Sequence, residues 1–207
     1  MRNGHMEQDE VKFLVRGLAE GDEWAFKNIF LLYYEPLCNF CWRYTKSKAI
    51  SEDLVQEMFA DVWHNRAVFD PNKCIRLYLY KAVKNKALDY LDHQRVIREY
   101  EEEQQKQNTG IDEQGSFHQD NEQFIIAARE AIYNLPHRTQ QIYILSREDG
   151  FTYPEIADIM DISTKTVEAH ISKALDMLRI RLRKLFPEQV TERTIAKIFS
   201  FRSTGTK

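Results

Sequence analysis

Apolar residues recur along this chain at intervals of three and four, and no stretch sustains an alternation of period two. The pattern predicts helices throughout. Val11, Phe13, Leu14 and Leu18 mark a first helix from Met6, broken at Gly21 and Asp22. Asp22 is placed to cap a second, whose broad stripe holds Trp24, Phe26, Ile29, Phe30 and Tyr33. Pro36 suits a first helical turn, so a separate helix is expected from there to about Tyr44, burying Leu37, Phe40, Cys41 and Tyr44. Residues 46–50 read as a loop, and Ser51 as the cap of a helix running to Trp63 on Leu54, Val55, Met58, Phe59 and Val62. After the turn-forming Phe69-Asp70-Pro71-Asn72, Lys73 to Asp92 is again helical, with Leu77, Tyr80, Ala82, Val83, Ala87, Leu88 and Leu91 inward.

The pattern lapses over residues 95–122, where carboxylates outnumber cations and Gln, Asn and Gly accumulate. That composition predicts a flexible acidic linker, its early part able to prolong the preceding helix. Its charge could hold basic surfaces off nucleic acid. Periodicity resumes with Phe124, Ile125, Ala128, Ala131, Ile132 and Leu135 up to Pro136, then Ile142, Tyr143 and Leu145 within residues 138–147.

Next comes GFTYPEIADIMDISTKTVEAHISKA, Gly150 to Ala174. Thr152 caps a short helix on Ile156, Ala157 and Met160; Asp161 and Ile162 turn; Ser163 caps a longer helix on Val167, Ile171, Ala174, Leu175 and Leu178. This is a helix-turn-helix, with Ala157 small where the two helices must approach. Its second helix keeps a polar, partly basic outer face suited to a DNA major groove. Arg179, Arg181, Arg183 and Lys184 lengthen that helix with cations until Pro187, and a short helix around Ile195, Ile198 and Phe199 is expected in the tail. The fold class is therefore all-α: a helical domain over 7–94, the linker over 95–122, a helix-turn-helix bundle over 123–187, and a tail over 188–207.

Charge and cysteine content narrow the chemistry. A net charge of −3 argues against simple nucleic-acid coating, but the charge is clustered. Asp53, Gln56, Glu57 and Asp61 make an acidic row on one helix, either a solvated face or a dock for a basic partner. Arg76, Lys81, Lys84 and Lys86 alternate with Tyr78, Tyr80 and Tyr90 on the next, suited to phosphates and unpaired bases or to a basic solvated side. Cys38 and Cys41 are spaced C-x-x-C, but no second ligand pair accompanies them, so two small apolar residues are expected rather than a metal or redox site. Three cysteines without a signal-like leader, and no apolar run of about 20 residues, imply a reducing, cytoplasmic setting with no membrane insertion. No phosphate-cradling glycine loop, metal cluster or nucleophile motif marks an enzyme, and no cofactor is expected.

In order and spacing these pieces resemble an RNA polymerase sigma factor of the extracytoplasmic-function group, from about Glu23 to Phe186. EDLVQEMFADVW resembles region 2.2, LYLYKAVKNKALDYL regions 2.3 and 2.4, and LPHRTQQIYILSREDGFTYPEIADIMDISTKTVEAHISKAL region 4. The resemblance implies that the chain binds core polymerase, through the β′ coiled coil and the β flap, and melts and reads promoter DNA. An anti-sigma factor is an implied further partner. Asp53, Gln56, Glu57 and Asp61 would grip polymerase. Residues 65–73 would take up a flipped base of the −10 element. Asn72, Lys73, Arg76, Tyr78, Lys81, Lys84, Asn85 and Lys86 would face the melted strand, with Tyr78 or Tyr80 outermost. At the −35 element the implied contacts are Thr152, Ser163, Thr164, Lys165 and Thr166, then Glu168, Ala169, His170, Ser172 and Lys173. Glu168 and His170 stand where arginines are frequent, and Glu168 can accept from cytosine N4. Residues 146–171 also resemble a LuxR-type regulator; that alternative implies a strand-containing receiver domain in the first half, which the pattern does not show. A protein-binding helical adaptor using the acidic row is a further alternative.

Overall fold

The computed structural model describes residues 8–101 and 120–186. Most of the acidic linker, the tail and residues 1–7 lie outside them, as does the short helix expected around Ile195. The described residues form helices and no strand: α1 (Gln8–Glu20), α2 (Glu23–Thr45), α3 (Lys48–His64), a 3-10 turn (Arg66–Val68), α4 (Ile75–Glu101), α5 (Asp120–Tyr133), α6 (His137–Arg147), α7 (Tyr153–Met160) and α8 (Thr164–Leu185). They fall into two units, divided between Lys106 and Gln107.

In the first unit α2 is the spine, packed by α1, α3 and α4. α1 buries Leu14, Val15 and Leu18. Gly17 lets it close on α2, since a Cβ there would stand 2.7 Å from Ala25 Cβ. Gly21, at φ 86°, makes the turn, and the Asp22 carboxylate accepts from the Trp24 N–H at 2.9 Å to open α2. Two expected helix starts fail in this unit, and Phe13 and Leu88, expected on inner faces, are exposed. Pro36 starts no helix; it lies exposed inside α2. An interior proline costs about 3 kcal/mol. Ile29 and Tyr33 before it and Leu37 and Phe40 after it are buried on one continuous face, each contributing on the order of 1.5–3 kcal/mol, so the helix runs through. Nor is Ser51 a cap. Ser47 caps α3 from the segment expected to be a loop, while Ser51 is buried one turn inside and donates to the Ser47 carbonyl at 2.7 Å. Phe26 and Phe30 of α2 meet Phe59 and Trp63 of α3, and Phe40 meets Tyr80 of α4, to form the core.

The second unit follows its pattern closely. α5, α6 and α8 share a core of small and aliphatic residues, among them Ala128, Ala131, Leu135, Ala174, Leu178 and Leu182, with Tyr143 filling its centre. α6 is buried over most of its length, and its two buried glutamines are met: Gln140 donates to the Ile132 carbonyl at 3.1 Å, and Gln141 faces His137 at 3.3 Å. α7 is closed at its start by Thr152, whose N–H and hydroxyl both donate to the Glu155 carboxylate at 2.7 and 2.8 Å. It ends where Asp161 turns left-handed at φ 52° and the Ile162 N–H bonds to the Ala157 carbonyl. Ser163 then accepts from the Thr166 N–H at 3.1 Å and starts α8.

Candidate functional site

Three surfaces carry the residues singled out by sequence. The first is the outer face of α3, where Asp53, Gln56, Glu57 and Asp61 are all exposed. Val55, Met58, Phe59 and Val62 point the other way into the core, and the 3.6-residue period leaves the acidic row outside. The row has neighbours from two helices. Gln56 donates to the Tyr34 hydroxyl of α2 at 3.3 Å. Lys86 of α4 reaches Asp61 at 2.9 Å and Glu57 at 3.6 Å. Partial burial works against the Lys86 charge, but Asp61 and Glu57 prevail and hold the ammonium above its ordinary range.

The second surface is the turn before α4 and that helix's first turns. Asn72 and Lys73 are exposed, and Asp70 shapes the turn by accepting from the Asn72 N–H at 2.9 Å. Tyr78 is 46% exposed and stands edge-on to Phe69 at 4.9 Å, whereas Tyr80 is 2% exposed and packed on Phe40. The choice between the two tyrosines therefore falls to Tyr78. Arg76 and Lys81 are half-buried, Arg76 with its guanidinium 5.8 Å from the Tyr80 ring centre, and Asn85 is exposed.

Two residues expected to face DNA are engaged within the unit. Lys84 is only 5% exposed, because it lies one turn from both Tyr80 and Ala87 on the buried side of α4. Lys86 is held against the α3 carboxylates. α4 packs against both α2 and α3, and its buried stripe takes in Lys84.

The third surface is α7 and α8. Thr164, Lys165, Glu168, Ala169, Ser172 and Lys173 are exposed, opposite the buried Val167, Ile171 and Ala174. Thr152 and Ser163 are exposed at the two caps, with their side chains engaged there. Thr166 is half-buried and its hydroxyl lies 2.8 Å from that of Ser163. His170 is half-buried on the flank of α8, its Nδ1 3.0 Å from the Thr139 hydroxyl of α6. Burial and the nearby Arg138 and Lys173 charges hold its pKa below the ordinary histidine value. Sequence reasoning missed the Phe69–Tyr78 ring contact, the pairing of Lys86 with the acidic row, and the Thr139–His170 hydrogen bond. Each joins two elements, and local spacing carries no signal of that.

Cys41 is buried, its thiol pushed up to about 11 by burial, and Cys38 is half-buried and raised for the same reason. Among the described residues no His, Cys, Asp and Glu cluster could hold a metal, and no helix is long and apolar enough to cross a membrane.

Comparison with known proteins follows the same division. Residues 29–96 match the family described as Sigma-70 region 2, and residues 125–178 match Sigma-70, region 4. Together the two matches span more than half the chain. The chain is similar to the ECF RNA polymerase sigma factor SigW of Bacillus subtilis, 23% identical over 184 residues, covering 84% of this chain and 98% of the relative. It is similar to the ECF RNA polymerase sigma-E factor of Haemophilus influenzae, 25% identical over 190 residues, covering 86% and 98%. Among solved structures it resembles CnrH in complex with the cytosolic domain of CnrY, with a TM-score of 0.55 at 21% identity over 85% of this chain and 96% of that one. It also resembles the sigma factor RpoE in complex with the anti-sigma factor NepR from Bartonella quintana, with a TM-score of 0.56 at 20% identity over 79% and 97%. The relatives match across both halves of the chain, and the described residues of the first unit are helical, which does not favour the LuxR-type alternative.

Proposed function

The chain belongs to the extracytoplasmic-function group of RNA polymerase sigma factors, which direct transcription initiation at specific promoters, and from that membership we propose how its surfaces divide the work. The α3 face of Asp53, Gln56, Glu57 and Asp61 docks on a basic, helical surface of core polymerase, the β′ coiled coil. The turn at Asn72 and Lys73, with Arg76, Tyr78, Lys81 and Asn85, holds the melted strand of the −10 element. Tyr78 supplies the stacking face, and Phe69 braces it. Lys165, Glu168, Ala169 and Ser172 read base edges of the −35 element, while the caps at Thr152 and Ser163, with Thr164, Thr166 and Lys173, sit toward its phosphates. The second unit also meets the β flap.

The observation that carries this reading is the division of exposed chemistry: an acidic helix face in one unit and a polar recognition helix in the other. Neither surface needs high affinity alone. Polymerase holding both units makes the second contact intramolecular, and modest contacts then multiply. The chain acts as a DNA-binding initiation factor, and bond formation belongs to the polymerase. It works beside the chromosome in the cytoplasm, and a protein that covers these faces, an anti-sigma factor, would hold it silent.

Charge tests the docking face. Gln56→Ala combined with Glu57→Lys should lower co-purification with core polymerase at least tenfold while circular dichroism stays that of the parent. Undiminished co-purification would remove α3 from the polymerase interface.

A further inference from the structure

We propose that Thr139 is a positioning residue that fixes the His170 ring as an outward hydrogen-bond donor to a backbone phosphate of the bound DNA. The inference rests on the promoter-binding reading of α7 and α8. Thr139 lies in the first turn of α6 and is 1% exposed. Its hydroxyl stands 3.0 Å from His170 Nδ1, and among the described residues no other side-chain hydrogen bond reaches it.

A hydroxyl carries one proton and must place it. Were Nδ1 protonated and donating, the Thr139 proton would be stranded in the core, and an unmet buried donor bears its full desolvation cost. Thr139 therefore donates, Nδ1 accepts, and the neutral imidazole carries its proton on Nε2. Nδ1 is the nitrogen turned to α6, so Nε2 occupies the ring's outer edge. Donation to Nδ1 favours the unprotonated ring, in the same direction as its burial and the two flanking cations.

Position on the helix selects the acceptor. Lys165, Glu168 and Ser172 lie on the outer face of α8, away from buried Val167 and Ile171. His170 lies on the flank toward α6. When the outer face enters a major groove, a flank meets the groove wall, which is phosphate. The charged groups facing the ring are Arg138 of α6 and Lys173 of α8. Arg138 is anchored beside the turn, its Nη2 donating to the Met160 carbonyl at 3.4 Å. A phosphate oxygen can accept from Nε2–H with two cations at hand, a charge-assisted arrangement.

The test has two arms. Nitrogen-15 correlated NMR of the full chain, with His170 assigned by the His170→Gln spectrum, should show Nε2 protonated and Nδ1 bare. Thr139→Val should mix the tautomers and raise the His170 titration midpoint, and Thr139→Ser should restore both. A wild-type ring protonated on Nδ1, or a tautomer indifferent to Thr139→Val, overturns the positioning role. The wild-type spectrum decides this even if a variant folds poorly.

In the second arm, holoenzyme is titrated with duplexes bearing its selected −35 element and single-base variants. His170→Ala should weaken every duplex alike by roughly tenfold, the size of one hydrogen bond to a charged group, and Thr139→Val, which only mixes the tautomers, by about twofold. A changed base preference overturns the phosphate assignment. Wild-type holoenzyme with no preference among the duplexes counts against the promoter-binding reading itself, while the NMR arm still decides the role of Thr139.

Discussion

α4 and α8 are both long helices studded with cations, and they dispose of them differently. α4 packs against both α2 and α3, and two of its lysines are taken up inside the unit: Lys84 by burial, Lys86 by the α3 carboxylates. α8 buries one stripe, Val167, Ile171, Ala174, Leu178 and Leu182, and keeps its opposite face open from Lys165 to Lys184. A helix packed on one stripe shows solvent nearly everything that its pattern leaves polar. Where the buried stripe itself takes in a lysine, as at Lys84, or a neighbouring helix brings carboxylates to one, as at Lys86, fewer cations are left over, and sequence periodicity does not report that.

The largest effect should come where the first unit depends on its aromatic core. Phe59 is buried between Phe26 and Phe30, and Phe59→Ala should destabilise the first unit by about 3–5 kcal/mol, read as a shift in its denaturant midpoint. A loss below about 1 kcal/mol would mean that α3 is not anchored there. On the open helix the expected effect is specificity. Lys165→Ala or Glu168→Ala should alter −35 preference by about 1–3 kcal/mol for each base whose hydrogen bond is removed, with little change in stability. An unaltered promoter selection profile would place those side chains off the bases.

The α3–α4 ion pair ranks lower. The Asp61 and Lys86 side chains are 60% and 27% exposed, so a double-mutant cycle of Lys86→Met and Asp61→Asn should return a coupling of only about 0.5–1 kcal/mol, shrinking with salt. A coupling of zero would return Lys86 to the DNA-facing set.

The smallest effect is set by His170. Its folded pKa lies below the unfolded value, so the unfolded chain takes up the proton first as pH falls. The stability this contributes is complete above the unfolded histidine value and is lost as pH drops through the lower folded one. Urea midpoints of the second unit should fall over that acid range, and less so in His170→Gln.

The same contrast explains what the sequence disclosed. The helix-turn-helix was legible almost residue by residue, because each boundary is local: Thr152 with Glu155, Asp161 at the turn, Ser163 with Thr166. In the first unit the local signals misled. Pro36 resembles a helix start, and only the burial on either side of it carries α2 through. Ser51, followed by Glu52 and Asp53, resembles a cap, but Ser47 one turn earlier takes the role and frees Ser51 to bond inward. The helical period could not separate Tyr78 from Tyr80; the packing of Tyr80 on Phe40 does. The acidic row was legible because it depends on one helix, whereas its pairing with Lys86 depends on how two helices meet.

Run-off transcription is the most direct measurement of the central claim. Purified core polymerase, the full chain, and a template bearing a promoter recovered from cells where the chain is bound should yield a discrete transcript that neither component makes alone. The transcript should disappear with the Gln56→Ala, Glu57→Lys variant and weaken with Lys165→Ala. Tight, specific binding of the free chain to that promoter, with no transcript when core polymerase is added, would contradict the account.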